Sequence, residues 1–521
     1  MKIESIKIRE FKNLRDFEAQ FGTESLTTVL IGQNATGKSN LLEALVIIFR
    51  DLDLGEPPSF EYSIRYECRG KQIEIVPEDR VGSKSLRITV DGDRVPYSVF
   101  SSDPDRRYLP SNLFGYYSGP SSRFESHFAK HQEKFYRQLL RNESDEALRP
   151  LFYARLIHSQ FVLLAFFYEE DRESFGFLKD YLNIEALESV LFVLKQPPSD
   201  WPTARGDKRF WHARGAVQQF LDKLYRHALA PLKLRQRVDL DFVKRRTEER
   251  IYLFLKDTNE LQKLRAYYGT PNVFFKALES TYLSKILAEV RIRVRIRECT
   301  GALTFKELSE GEQQLLTVLG LLRFTREDEA LFLLDEPDTH LNPIWSLHYI
   351  ELLNSVVGGQ KSSQIIMTTH DPLTIAGLTR DQVRVMYKDE TTNLISARTP
   401  EQDPKGMGVS GILTSELFGL RSDLDLETLK LLDEKRDLAA KEQLTEQDKT
   451  RLAELREALK NVDMSSRARD PLYGEFIKAL WTKEGFQETQ DVVLTPEQQK
   501  ARSRLALQAI AEVEAEGEKG R

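Results

Sequence analysis

The chain has 521 residues, and at about 150 residues per domain that length allows three to four domains. Acidic residues outnumber basic ones, 81 to 75, so a uniformly basic coat is excluded and any nucleic-acid contact must come from local patches. The two cysteines, Cys68 and Cys299, cannot build a disulfide framework or a cysteine-rich zinc site, and they suit a reducing cytosol.

Residues 1–120 predict one lobe of an α/β domain. Ile3, Ile6 and Ile8 stand among charged residues, which is typical of a half-buried strand. A second predicted strand, Leu26 to Ile31, consists of apolar or β-branched residues and runs into a glycine turn. A helical pattern follows, and this order is the layout of a phosphate-binding unit. Residues 60–118 then predict short strands separated by turns.

Three further regions follow along the chain. Residues 121–287 show mainly helical patterns and predict a helical insertion; its most apolar run, Phe161 to Tyr168, is too short to span a membrane and predicts a buried helix. Residues 288–398 begin with an alternating strand, Val290 to Arg297, and predict a second lobe. Residues 399–521 predict a helical partner-binding region with a helical pair at 426–461. Because the N-terminus has no apolar signal core, we expect a cytoplasmic protein with no membrane partner.

The stretch from Gly32 to Ser39 fits the GxxxxGK[ST] phosphate loop. Its glycines let backbone N–H groups wrap a phosphate, Lys38 supplies positive charge, and the hydroxyl of Ser39 is a ligand for Mg²⁺. A coincidental glycine turn is disfavoured because the pattern follows an apolar strand and opens a helix. The predicted ATP-binding residues here are Asn34, Ala35, Thr36, Gly37, Lys38, Ser39 and Asn40.

A second motif is the apolar strand from Leu331 that ends in Asp335 and Glu336. Asp335 would hold Mg²⁺, and Glu336 would orient or deprotonate the water that attacks the γ-phosphate. An ordinary buried strand capped by two acids is the alternative. The phosphate loop earlier in the chain favours the catalytic interpretation.

Two more motifs complete an ordered set. Leu308 to Gln314 resembles the LSGGQ signature of the ABC-type ATPases, although Ser309 and Glu312 also fit a helix capping box, and both can hold together. Pro337 to Pro343 resembles the D-loop of the same class, and a later strand ends in His370, like the switch histidine.

The chain therefore resembles an ABC-type ATPase head over residues 1–50 and 285–395. The resemblance implies an α/β fold with a mixed sheet flanked by helices, and a homodimer or higher oligomer with ATP and Mg²⁺ between subunits. It implies that His370 senses the γ-phosphate and that the opposite subunit contacts the same ATP through Ser309, Gly311 and Glu312. The glutamine-loop residue stays open, between Tyr116 to Gly119 and Gln132.

The opening, Ile6 to Leu14, resembles the RecF and OLD-like ATPases. OLD nucleases add a Toprim domain, but no EGxxE element precedes Asp423 and Asp425, so these acids predict a helix N-terminus. With the OLD nucleases set aside, the chain resembles the ATPase subunit of Septu-type anti-phage systems, the PtuA family, which is also found with some retrons. That resemblance rests on the compact head, on Lys405 to Ile412 and on the tail with Asp470 to Phe476.

The Septu resemblance implies a separate HNH nuclease, PtuB-like, whose activity the nucleotide state controls. Two alternatives stay open: a RecF-like DNA-repair ATPase, and a regulatory module that uses ATP as a structural ligand. His127 and His131 could form a metal pair, but without a third ligand an exposed helical face is the better interpretation. Two basic stretches could contact DNA or could be solvated faces, and the two interpretations are equally good. The first stretch contains Lys233, Arg235 and Arg237, followed by Lys244 to Arg246. The second contains Arg291, Arg293, Arg295 and Arg297.

Overall fold

A computed structural model describes most of the chain in thirteen main ranges. These are residues 1–22, 24–80, 83–103, 106–141, 150–168, 172–197, 206–239, 245–297, 302–324, 329–357, 362–389, 391–441 and 444–459, with a few positions between 500 and 508. Cys299, Lys244 and the segment Asp470 to Phe476 lie outside them. Among the described helices, none combines the length and the apolar character that crossing a bilayer would require.

The regular elements are numbered in chain order. The strands are β1 Lys2–Phe11, β2 Leu14–Gln20, β3 Thr27–Gly32, β4 Tyr62–Cys68, β5 Lys71–Arg80, β6 Ser83–Val90, β7 Asp93–Val95, β8 Leu113–Tyr117, β9 Leu151–Tyr153, β10 Ile184–Lys195, β11 Leu232–Asp239, β12 Arg245–Leu255, β13 Leu287–Ile296, β14 Ala302–Thr304, β15 Leu331–Asp335, β16 Gln364–Thr368, β17 Val383–Lys388 and β18 Ile395–Arg398. The helices are α1 Lys38–Leu54, α2 Tyr97–Ser101, α3 Arg123–Ser126, α4 Ala129–Arg141, α5 Ile157–Tyr168, α6 Arg172–Leu182, α7 Gly215–His227, α8 Thr258–Gln262, α9 Arg265–Tyr268, α10 Pro271–Leu283, α11 Glu310–Phe324, α12 Pro343–Val357, α13 Pro372–Ile375, α14 Gly408–Thr414, α15 Leu426–Ala440 and α16 Glu446–Ala458.

The chain divides into two compact units, of which the first comprises residues 1–375 and 380–399. Its central sheet has the order β18-β17-β3-β16-β15-β8-β9, parallel except for β18. Strands β3, β15 and β16 are buried along almost their whole length, as expected for parallel strands covered on both faces. Because neighbouring parallel strands end at the same edge, Gly32, Asp335 and Thr368 come together there.

A six-stranded antiparallel sheet, β2-β1-β4-β5-β6-β7, covers one side of α1. Ile3, Ile6 and Ile8 are buried as predicted. Ile3 and Ile6 are an odd number of residues apart, and they share the buried face because a register shift between Ile3 and Ser5 absorbs the extra residue. This sheet, α1 and the apolar strand interiors form one large core.

The insertion contains the predicted helices but also strands that the sequence analysis missed. β10, β11 and β12 join β13 and β14 in a five-stranded antiparallel sheet of order β11-β12-β10-β13-β14. The sequence of β10 places Leu187, Val190, Leu191 and Leu194 at helical spacing. Long-range pairing with β12 and β13 overrides that local pattern. The fold class is confirmed, with strands added to the insertion.

The apolar run Phe161 to Tyr168 forms most of α5, which is buried as predicted. Helix α5 packs against α11, and the contact is so close that a Cβ on Gly320 would lie 1.9 Å from Cγ1 of Val162. Any larger residue at position 320 would therefore push the two helices apart.

The second unit comprises residues 376–379 and the described residues from 400 onward. The predicted helical pair is confirmed as α15 and α16, with Leu429, Leu432, Leu452 and Leu455 buried. Asp425 caps α15 by accepting hydrogen bonds from two backbone N–H groups of its first turn, which confirms the prediction that these acids mark a helix N-terminus.

Candidate functional site

The phosphate loop joins β3 to α1 in a backbone conformation that needs its glycines. Gly32 has φ 145° and Gly37 has φ 86°, and a Cβ on Gly32 would lie 2.1 Å from the carbonyl oxygen of Met386. Within the described ranges, no side chain forms a capping hydrogen bond at the N-terminus of α1. Its first N–H groups are therefore available to an anion, and the helix dipole favours negative charge there.

Lys38 is held inside this loop. Its Nζ donates hydrogen bonds to the carbonyl oxygens of Gly32, at 2.8 Å, and Gln33, at 3.0 Å. Burial of the ammonium lowers the pKa of Lys38 to about 8, while the nearby carboxylates of Glu336 and Asp335 act in the opposite direction. An anionic phosphate beside this amine would favour its charged form.

Asp335 ends β15 directly beside the phosphate loop. One oxygen, Oδ1, accepts hydrogen bonds from the hydroxyls of Ser39 at 3.0 Å and Thr368 at 2.6 Å. Burial raises the pKa of this carboxyl. A carboxylate and a hydroxyl on adjoining elements are hard oxygen donors, so Ser39 and Asp335 fit a Mg²⁺ ion.

Glu336 follows Asp335 with a left-handed backbone, φ 52°, which turns its side chain away from the strand. Its Oε1 lies 3.2 Å from Nε2 of His370. The hydrogen bond from His370 lowers the pKa of Glu336. Glu336 is therefore ionised at neutral pH. Its side chain is also partly exposed, and a group that takes a proton from water must have both properties.

The signature segment begins α11. Ser309 and Glu312 form the predicted capping box: the backbone N–H of Ser309 donates to Oε2 of Glu312 at 2.7 Å, and its hydroxyl lies 2.8 Å from the same oxygen. A Cβ on Gly311 would lie 2.4 Å from the carbonyl oxygen of His340, so only glycine fits against the D-loop. In the part of the chain that the structure describes, no hydrogen bond or ion pair joins Ser309 or Glu312 to the phosphate loop.

Gln314 connects helix α11 to the segment that follows β15. Its Nε2 donates to the carbonyl oxygen of Glu336 at 3.4 Å, and its Oε1 accepts from the backbone N–H of His340 at 3.3 Å. Asp338, in the D-loop, is buried and accepts hydrogen bonds from Thr369 and Thr374. Burial raises the pKa of Asp338 to about 6.

Asn13 is a site residue that the sequence analysis used only for resemblance. Its Nδ2 donates to the carbonyl oxygen of Ala35 at 2.8 Å, and its Oδ1 accepts from Nδ2 of Asn40 at 2.6 Å. The turn between β1 and β2 therefore holds the phosphate loop, where Ala35 has φ 66°. In the sequence, the feature that could have indicated this role is the position of Asn13 between two strands.

The glutamine-loop alternatives are separated by the structure. Tyr117 ends β8 opposite Asp335, and the backbone N–H of Ser118 donates to the carbonyl oxygen of Asp335 at 3.2 Å. The segment from Tyr116 to Gly119 thus lies at the site. The side chain of Gln132 contacts the insertion, where its Oε1 accepts a hydrogen bond from NH2 of Arg155 at 3.2 Å.

The two histidines on the insertion are not on an exposed face, so that interpretation was wrong. Nε2 of His127 lies 2.6 Å from Glu43, and Nε2 of His131 lies 2.6 Å from Asp53. Both acids belong to α1, which draws the histidines inward. Among the described residues, no group of three or more His, Cys, Asp or Glu side chains could hold a metal ion.

The basic stretches are exposed, but most of their described cations have acidic neighbours. Lys233 lies 2.7 Å from Glu249. On and just after β13, the pairs are Arg291 with Glu289 at 2.9 Å, Arg295 with Glu188 at 3.5 Å and Arg297 with Glu185 at 3.5 Å. These ion pairs favour solvated faces over a DNA-binding surface.

Comparison with known proteins identifies several similar sequences. The family model described as "AAA domain, putative AbiEii toxin, Type IV TA system" matches residues 27–376, well over half of the chain. The Septu protein PtuA of Bacillus mycoides (strain KBAB4) is 30% identical over 156 residues, covering 28% of this chain and 21% of that protein. The DNA replication and repair protein RecF of Synechococcus sp. (strain JA-2-3B'a(2-13)) is 33% identical over 99 residues, covering 17% of this chain and 26% of that protein.

The similarity to these curated relatives is local, since the chain spans only about a fifth to a quarter of their length. Among solved structures, the SMC head domain from Thermotoga maritima matches with a TM-score of 0.32 and 12% identity, covering 77% of this chain and 100% of that one. A TM-score this low carries no weight for fold or function.

Proposed function

We propose that this chain, which belongs to the family described as "AAA domain, putative AbiEii toxin, Type IV TA system", is an ABC-type ATPase. In this proposal it hydrolyses ATP. The observation that carries the proposal is the convergence at one sheet edge of Lys38, Ser39, Asp335 and Glu336, with His370 beside Glu336. A family match over the same residues supports it.

Hydrolysis would use these side chains in distinct roles. Lys38 would exchange its bonds to the loop carbonyls for bonds to the β- and γ-phosphates. Glu336 would take a proton from water as the water oxygen bonds to the γ-phosphorus, while the bond from that phosphorus to the β–γ bridging oxygen breaks and ADP keeps the electron pair. His370 would hold Glu336 ionised. Ser39 and Asp335 would hold Mg²⁺, which neutralises phosphate charge when bound.

The signature residues would complete the site of a second copy of the chain. Ser309 is exposed and Glu312 is half-buried at the start of α11, and among the described residues they hydrogen-bond to each other and not to the phosphate loop of the same chain. An exposed helix start is a ready anion site. We expect Ser309, Gly311 and Glu312 to contact ATP held by the partner, so that ATP links two heads.

Replacement of Ser309 by arginine tests this arrangement. We expect hydrolysis to fall by about 100-fold or more, because a bulky cation would replace a small hydroxyl at a phosphate-facing helix start. ATP affinity of the isolated chain should stay within about twofold, since among the described residues no hydrogen bond joins Ser309 to its own phosphate loop. Equilibrium binding of labelled ATP and phosphate release measure the two quantities. Loss of binding by the isolated chain would contradict the assignment.

The proposed biological role is that of the ATPase subunit of an anti-phage defence complex, in which the nucleotide state regulates an associated HNH nuclease. The support is the local similarity to a Septu PtuA protein. The charged helices α15 and α16 of the second unit would dock the nuclease. The local similarity to RecF supports a second candidate, a DNA-repair ATPase without a nuclease partner.

Co-expression with the adjacent open reading frame separates these two roles. For a defence complex, we expect a stable assembly whose DNA cutting changes with ATP concentration, measured by native mass and nuclease assay. Deletion of residues 426–459 should release the nuclease and leave ATP turnover intact. A chain that purifies alone and whose turnover rises with gapped DNA would instead support the repair role.

A further inference from the structure

A cavity of about 570 Å³ lies in the first unit where α4, the C-terminal end of α10 and strands β10 and β13 meet. Its lining includes three cations, Arg155, Lys195 and Lys285, and one acid, Glu133. The carboxylate of Glu133 is engaged by Arg137 at 2.5 Å. The cavity lining includes none of the residues proposed above to bind ATP.

Arg155 forms a fixed wall of this cavity. Its NH1 donates to the hydroxyl of Tyr282 at 3.0 Å, its NH2 donates to Gln132 at 3.2 Å, and Glu125 neutralises its charge. These three groups hold the guanidinium of Arg155 in one place, and the remaining positive charge of the cavity comes from the two lysines.

Lys195 and Lys285 form no ion pair with any residue of the described ranges. Lys195 ends β10 directly opposite Arg250 of β12, a second cation, whose own ion pair is with Glu248 at 3.4 Å. Nζ of Lys285 lies 5.0 Å from the centre of the Tyr136 ring, a contact that orients a cation without neutralising it. An anion between the two ammonium groups would offset this charge.

The dipole at the C-terminal end of α10 explains part of the position of Lys285 but not that of Lys195. A lysine near a helix C-terminus is favourable, and Lys285 follows α10 by two residues. However, the carbonyl oxygen of Tyr282 already accepts from the backbone N–H of Lys285, and that of Thr281 accepts from the hydroxyl of Ser284. Lys195 lies on a strand and has no such explanation.

We propose that this cavity is a second anion site, separate from the phosphate loop, that binds a nucleoside phosphate. Its volume lies within the range of sites for small organic ligands and is far more than a bare phosphate fills. The lysines would bind the phosphate, and Tyr136, Tyr282 and Leu287 would contact the base and sugar. Free nucleotide and a nucleotide of a single strand share this chemistry.

To separate this site from the phosphate loop, nucleotide binding is measured on the Lys38→Ala variant. The probes are mant-labelled ATP and a fluorescein-labelled deoxythymidine strand about 12 nucleotides long. We expect saturable binding of one or both, weakened at least about tenfold by Lys195→Gln with Lys285→Gln. Lys179→Gln, an exposed lysine on α6, is the matched control and should bind like its parent. The probe that binds identifies the source of the phosphate.

The proposal is overturned if neither probe binds the Lys38→Ala variant up to about 1 mM. It is also overturned if the double lysine variant binds within about twofold of its parent. Thermal melting shows that the double variant is folded. In a Lys38-containing chain the double variant should keep full ATP turnover, so failure here is distinguishable from failure of the ATPase proposal.

Discussion

Replacement of Glu336 by glutamine is expected to stop ATP hydrolysis and leave ATP bound. The amide has the same shape as the carboxylate but cannot accept a proton from water, and general-base contributions of this kind are about 10²- to 10⁴-fold. Because bound ATP links two heads in this account, the variant should accumulate as a dimer in ATP and dissociate in ADP.

Phosphate release and native mass measure these two effects. The matched control is Glu351→Gln, an exposed glutamate of α12 whose neighbour is also a histidine, His348 at 3.2 Å. The control should behave like the wild type in both assays. Turnover by Glu336→Gln within about twofold of the wild type would remove Glu336 from the mechanism.

Replacement of Lys38 by alanine is expected to weaken ATP binding at the phosphate loop strongly. Removing one partner of a buried charged pair costs about 2–5 kcal/mol, which corresponds to at least about 30-fold in affinity. Folding should change much less, because burial already disfavours the charged amine, whose pKa is lowered to about 8.

Isothermal titration with ATP and thermal melting test this prediction together. Lys130→Ala is the matched control, since Lys130 pairs with Glu56 at the surface and such pairs contribute little. A Lys38→Ala variant that binds ATP at the phosphate loop with wild-type affinity would contradict the site.

The motifs could be located in the sequence because each one is local, and their meeting at one sheet edge follows from the strand order that the structure shows. Thr368 and Asp335 end neighbouring parallel strands, and Gly32 ends the next strand along the sheet. Each motif can be identified from a short stretch of sequence, because it is an apolar strand followed by a glycine, an acid or a histidine. The roles of Glu336, His370 and Ser309 in catalysis stay predictions.

The insertion could not be predicted to the same depth because distant residues determine it. The helical spacing of Leu187, Val190 and Leu194 gives way to pairing with a strand about 100 residues away. His127 and His131 look like a solvent-facing pair until the acids of α1 are placed beside them. Asn13 acts on a loop that begins after the next two strands. Such contacts leave no periodic trace in the sequence.

The central claim is that each ATP site is built from two chains, and mixing two inactive variants tests it most directly. Lys38→Ala lacks the phosphate-loop half of the site, whereas Ser309→Arg lacks the signature half. Their mixed dimer contains one complete site, so we predict that ATP turnover, absent in each variant alone, returns on mixing to about half the wild-type rate or less. No recovery at any ratio, with both variants folded, would contradict a site shared between chains.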